Sequence, residues 1–85
     1  MPHRLGDGKT VVGLKQTTQM VKENRAKVVY VAKDADEVLL KPLIELCRQE
    51  NVEVVTVDSM HELGVFCRIE VGASTAAIYE EKGGV

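Results

Sequence analysis

The chain predicts an α/β protein, a three-layer α/β/α sandwich around a mixed sheet of about four strands. Three observations carry that expectation. Short β-branched runs alternate with segments of helical periodicity along the whole chain. The run Lys27-Val28-Val29-Tyr30-Val31-Ala32 is almost continuously apolar, the pattern of a strand covered on both faces. The segment Ala73-Ser74-Thr75-Ala76-Ala77-Ile78-Tyr79 combines strand character with small side chains, which let helices approach closely.

The 85 residues suit a single domain spanning 1–85 with one modest core. Residues 1–8 hold two glycines and a proline, so at most a short helical turn is expected there. Residues 80–85 read as a frayed tail, and both ends as loosely ordered. Thr10 to Val12 is a short strand. The first helix starts at Lys15 or Gln16 and runs to Glu23, with Thr17, Met20 and Val21 on one face and Asn24 as its C-terminal cap.

After the buried strand, Lys33-Asp34-Ala35-Asp36 forms a polar turn in which Asp34 or Asp36 can cap the next helix. Pro42 lacks an N–H and clashes inside a helix. The sequence therefore predicts one short turn over Asp36–Leu40 and a separate main helix opened by Pro42. Leu43, Leu46 and Cys47 give that helix its core face, widened by Ile44, and Asn51 ends it. Glu53 to Val57 is the next strand. Ser59-Met60-His61-Glu62 is a capping box opening a short helix expected to stop at Gly64.

Charge is unevenly spread. Residues 1–33 carry seven basic groups against two carboxylates, whereas residues 34–85 carry four against eleven. The total is −2, yet such asymmetry is a hint of a face turned toward a polyanion. No run of apolar residues is long enough to span a membrane. The opening residues lack the apolar core of an export signal, so the expected location is the cytoplasm.

Enzyme signatures are scarce, and the chain is expected not to be an enzyme. Gly72-Ala73-Ser74 lacks the second glycine of a nucleophile elbow, and the glycines match no phosphate-loop or dinucleotide fingerprint. Cys47, Cys67, His3 and His61 have no metal-ligand spacing, so no metal or cofactor is expected. Both thiols read as reduced, core-type residues.

Two segments exceed what the fold requires. Gly13 lies at a strand-to-helix turn, where unpaired N–H groups and the helix dipole favour a phosphate or an electron-rich edge. The side chains that follow, Lys15, Gln16, Thr17, Thr18 and Gln19, are hydrogen-bonding and include no carboxylate. An ordinary capped loop would read the same way. The second segment, Val65 to Gly72, carries Phe66, Ile69 and Val71 beside Arg68. Those apolar residues either plug the core or face outward, where they would suit stacking on an unpaired base.

Gly-x-Lys-Gln-Thr at a helix start, a β-rich run with an Ala-Lys-Asp-Ala-Asp turn, and Leu-Gly-x-x-Cys followed by Ile-Glu-Val-Gly-Ala resemble one family. It is the kink-turn-binding ribosomal protein group of L-seven-Ae and L-thirty-e, with its Gadd-forty-five relatives. The likeness spans Lys9 to Tyr79 and is nearest to the short bacterial ribosomal-protein-like members.

The resemblance implies a non-catalytic protein that binds kink-turn RNA, a bulge flanked by tandem sheared G·A pairs, and stabilises its bent form. It implies association with the ribosome or another ribonucleoprotein, ribosomal RNA or an mRNA leader as the RNA, and a monomeric state. Lys15 and Gln16 would read guanine edges, with Gly13 permitting the approach and Thr17 and Gln19 in the same motif. Ile69, Glu70 and Val71 would cover the bulged bases, and Lys33 would lie near the RNA.

Two residues depart from the family pattern: Gln19 where many members carry lysine, and Arg68 where glycine is usual. Arg68 adds a charge beside the bulge-binding loop that would either gain a phosphate contact or change which RNAs fit. With the acidic total, the first leaves open a second reading, a protein-interaction module of the same fold with weak or no RNA affinity.

Overall fold

The computed structural model describes residues 10–79, so the expectations for residues 1–8 and 80–85 fall outside it. The elements run β1 (Thr10–Val12), α1 (Leu14–Lys22), β2 (Ala26–Ala32), α2 (Glu37–Gln49), β3 (Glu53–Val57), α3 (Met60–Phe66) and β4 (Thr75–Tyr79). The sheet has four strands in the order β1-β4-β2-β3. β2 and β3 are parallel and joined by α2, while β4 is antiparallel to both β1 and β2. The sheet is therefore mixed, as expected.

Successive strand residues point to opposite faces. Val28, Val29, Val31 and Ala32 of β2 are all buried, as are Thr75 to Ile78 of β4, so both faces of these central strands are covered. α1 packs on β1, β4 and β2 and against α2, which covers β3. α3 packs on β2, β3 and β4 without comparable contact to the other helices. Alanines at 76 and 77 let the layers close on β4, and the Thr75 hydroxyl donates to the Tyr30 carbonyl at 2.7 Å.

All three helices end the same way. Asn24, Asn51 and Arg68 stand at left-handed φ of 60°, 59° and 62°. After α3, the Arg68 N–H donates to the Val65 carbonyl and the Ile69 N–H to the Gly64 carbonyl, both at 3.0 Å. α1 and α2 close with the equivalent pairs at Asn24/Arg25 and Asn51/Val52. This double closure satisfies carbonyls that a helix end leaves unpaired. Asparagine tolerates the left-handed region, but for other L-residues it costs roughly 1–2 kcal/mol. Arg68 is thus the strained member of the three.

Two expected boundaries are corrected. α2 is continuous from Glu37 to Gln49 with Pro42 inside it. The cost of an interior proline is about 3 kcal/mol. Against it stand Leu40, Leu43 and Cys47, buried on one stripe that only an unbroken helix keeps in register. A helix opened at Pro42 would still bury Leu43 and Cys47, so continuity gains the burial of Leu40, about 1.5–3 kcal/mol, which is comparable with the penalty. Pro42 and Val38 are exposed, so water can reach the carbonyl that loses its partner. The second correction is α3, which does not stop at Gly64 but continues to Phe66. Gly64 has no positive φ and is buried within the helix.

The polar turn after β2 divides the capping work. Asp36 caps α2 by accepting from the Val38 N–H at 2.9 Å. Asp34 instead reaches 26 residues along the chain to accept from the Met60 N–H of α3 at 2.7 Å. Ser59 Oγ accepts from the Glu62 N–H at 3.0 Å, completing half of the expected box. Among the described residues the carboxylate at that helix start is Asp34, in place of a return bond from Glu62. Asp34→Ala should lower unfolding free energy by about 1 kcal/mol in urea denaturation, while Asp34→Asn, which keeps an acceptor, should recover most of it.

Candidate nucleic-acid interface

Because β4 runs against its neighbours, its first residue lies at the sheet end where β1, β2 and β3 finish. Every loop leading into a helix opens on this rim. So does the segment between α3 and β4. All three helix N-termini are therefore on one side of the molecule, each contributing partial positive charge.

Two of those N-termini are closed. α2 has Asp36 as its cap and Glu37 in its first turn, and α3 has Ser59, Asp34 and Glu62. α1 differs. Its N-cap is Gly13, which makes no side-chain cap bond, and its first turn holds no acidic residue. Lys15 and Gln16 are exposed there. Gly13 adopts a φ of 108°, open to glycine and strained for L side chains, and an added Cβ would lie 3.0 Å from Gln16 Oε1.

The α3–β4 segment is lashed back along its own helix. Gly64 leaves room for the Val71 carbonyl, and a Cβ on Gly64 would fall far inside van der Waals contact with that oxygen and 3.2 Å from the Gly72 Cα. Gly72 in turn rests on Met60, 3.2 Å from where its own Cβ would stand. The Ala73 N–H donates to the Met60 carbonyl at 3.0 Å. Two backbone-to-backbone approaches thus fix the path of residues 69–73. Ile69 is half-buried against the core, Glu70 is exposed, and Val71 is 71% exposed. Sequence reasoning missed Gly64 and Gly72 as positioning residues, although both stood in quoted motifs.

This segment lies beside the open end of α1. The Gly13 N–H donates to the Thr75 carbonyl at 2.9 Å, joining the turn before α1 to the first residue of β4. The strand order makes the same link, since β1 and β4 are neighbours. Gly13, Lys15 and Gln16 accordingly share the rim with the end of that segment, whereas Arg68 follows the C-terminal turn of α3. Lys33 lies on the rim between β4 and β3 and lines a groove of about 590 Å³ with Val38, Lys41 and Thr56.

Two motif residues are less available than the sequence suggests. Thr17 is fully buried. It shares the inward stripe of α1 with Val21, one turn on, so its side chain faces the core. Gln19 is exposed, but its amide donates to Glu23 Oε2 at 2.6 Å along the helix.

Val65 and Phe66, expected in a loop, form the last turn of α3 and are 57% and 45% exposed. Burial pushes both cysteine thiols up, which keeps them protonated rather than nucleophilic. Among the described residues, no group of three or more His, Cys, Asp or Glu side chains could hold a metal. No described helix is long and apolar enough to cross a membrane.

Comparison with known proteins places the chain in a family. The model of the ribosomal protein L7Ae/L30e/S12e/Gadd45 family matches residues 2–84. An RNA-binding protein of Geobacillus sp. strain WCH70 is 49% identical over 71 residues, covering 84% of this chain and 87% of that protein. RNA-binding protein YbxF of Geobacillus stearothermophilus is 45% identical with the same coverage of each chain. The large ribosomal subunit protein eL8 of Halobacterium salinarum is 35% identical over 72 residues, which are 84% of this chain and 60% of that one.

Among solved structures, the Giardia lamblia 15.5kD RNA binding protein superposes with a TM-score of 0.73 at 29% identity. The match covers 86% of this chain and 62% of that protein. With its family model matched over nearly its whole length, the chain belongs to the ribosomal protein L7Ae/L30e/S12e/Gadd45 family.

Proposed function

We propose that this protein is a non-catalytic RNA-binding module, acting as one domain and as a monomer in the cytoplasm, that recognises kink-turn RNA and stabilises its bent form. The observation that carries the reading is the uncapped start of α1, free of carboxylate and exposing Lys15 and Gln16, beside a loop that exposes Val71. Family membership and the names of the relatives point to RNA as the ligand. The ribosomal relative makes ribosomal RNA a natural target class, along with mRNA leaders that carry the same motif.

Each part has a physical task. Lys15 and Gln16 donate to guanine edges of sheared G·A pairs, and Gly13 lets that helix end come close. Main-chain N–H groups of the first turn receive a phosphate. Ile69, seated on the core, holds Glu70 and Val71 over the bulged bases, and Val71 supplies an apolar surface for one of them. Kinking brings phosphates together, so the free RNA resists the bend. A protein that binds the kinked form shifts the population by its differential affinity for that form.

Titration of a kink-turn RNA against a scrambled G·A control, at two salt concentrations, tests the proposal. Much tighter binding to the kink-turn is expected at both. Equal weak binding to the two RNAs would reject it in favour of a protein-interaction role.

A further inference from the structure

Arg68 has features that the closure of α3 does not require. At the same position after α1 and α2 stands asparagine, at home at positive φ, whereas arginine at φ 62° is strained. Between Arg48 and Lys82 it is the only lysine or arginine in the chain, among Glu50, Glu53, Asp58, Glu62 and Glu70. Its side chain is exposed and makes no ion pair or hydrogen bond among the described residues, not even with Glu70 two positions on. No side-chain hydrogen bond or ion pair among the described residues offsets the strain. The residue opens the segment that leads through Ile69 and Glu70 to the exposed Val71.

We infer that Arg68 is an affinity-determining residue that contacts a phosphate of the bound RNA from the bulge-loop side of the site. The inference rests on the RNA-binding reading above and adds to it a second electrostatic anchor besides Lys15. The α1 surface does not extend its own charge in that direction. Gln19 is neutral and tied to Glu23, and the next cation, Lys22, is in the last turn. A guanidinium at Arg68 puts positive charge on a segment whose other charged residue, Glu70, would repel the RNA backbone. Strain retained at such a position fits a functional role.

The test compares wild type, Arg68→Asn and Arg68→Lys, each for thermal unfolding and for kink-turn RNA affinity across a salt series. Arg68→Asn should unfold at a higher temperature, because asparagine accepts the left-handed backbone, yet bind RNA more weakly. Its plot of log affinity against log salt should be shallower by roughly 0.7–0.9, one phosphate contact. Arg68→Lys should recover the salt slope without the gain in stability. An unchanged affinity and slope in Arg68→Asn, with wild type still preferring the kink-turn to its scrambled control, would overturn this inference and leave the RNA-binding reading intact. Loss of that preference in wild type would instead remove the reading on which it rests.

Discussion

Gly64→Ala is expected to destabilise the protein and to weaken RNA binding in one step, although alanine is the better helix former. Replacing glycine inside a helix normally gains about 1 kcal/mol. Here the new Cβ would collide with the Val71 main-chain oxygen and crowd the Gly72 Cα. Main chain cannot rotate away as a side-chain tip does. Either α3 lifts from the sheet or residues 70–72 shift outward, and overpacking of this kind typically costs about 1–3 kcal/mol. The urea midpoint should fall with little change in slope.

RNA affinity should fall further than instability alone accounts for, because the displaced segment carries Glu70 and Val71. Val65→Ala supplies the control: Val65 is the next residue of α3 and exposed, so its truncation should stay within about 0.5 kcal/mol. A stable Gly64→Ala protein with wild-type affinity would show that the close approach neither supports the fold nor sets the loop.

The second large effect is at the α1 terminus. Lys15→Ala and Gln16→Ala should each weaken kink-turn binding by roughly 1–3 kcal/mol, by analogy with base-edge contacts in DNA. Both side chains are exposed and unpaired among the described residues, so thermal stability should barely move. The two variants should differ in salt response. Lysine brings a charge and its removal should flatten the salt dependence, whereas the neutral glutamine should leave it unchanged. The scrambled G·A control should be bound almost as before by Gln16→Ala. Retention of full affinity in both variants would place the recognition surface elsewhere.

Gln19 and Thr17 differ from their motif neighbours in how the fold presents them. In sequence they stand beside Lys15 and Gln16 with similar hydrogen-bonding chemistry. Helical geometry separates them: Thr17 turns inward with Val21, and Gln19 spends its amide on Glu23. Lys33 is likewise on the rim but lines the groove beside α2. A pull-down followed by RNA sequencing would identify the natural target.

Local chemistry was legible in the chain itself. Apolar continuity marked β2 as buried on both faces, small side chains marked β4 as a strand packed beneath helices, and Asn24 and Asn51 marked two helix ends. Each follows from interactions within a few residues, or from simple burial, and both leave a periodic trace. What lay beyond the sequence were choices among chemically equivalent partners.

A glycine looks the same whether it frees a backbone angle, as Gly13 does, or clears space for another strand of chain, as Gly64 does. An aspartate before a helix looks like its cap, yet Asp34 serves α3. Pro42 predicted a break, yet α2 runs through it and buries Leu40 on one stripe with Leu43 and Cys47. The insertion of β4 between β1 and β2 is the decisive tertiary choice, because that pairing sets the open end of α1 beside Thr75, where the segment after α3 ends.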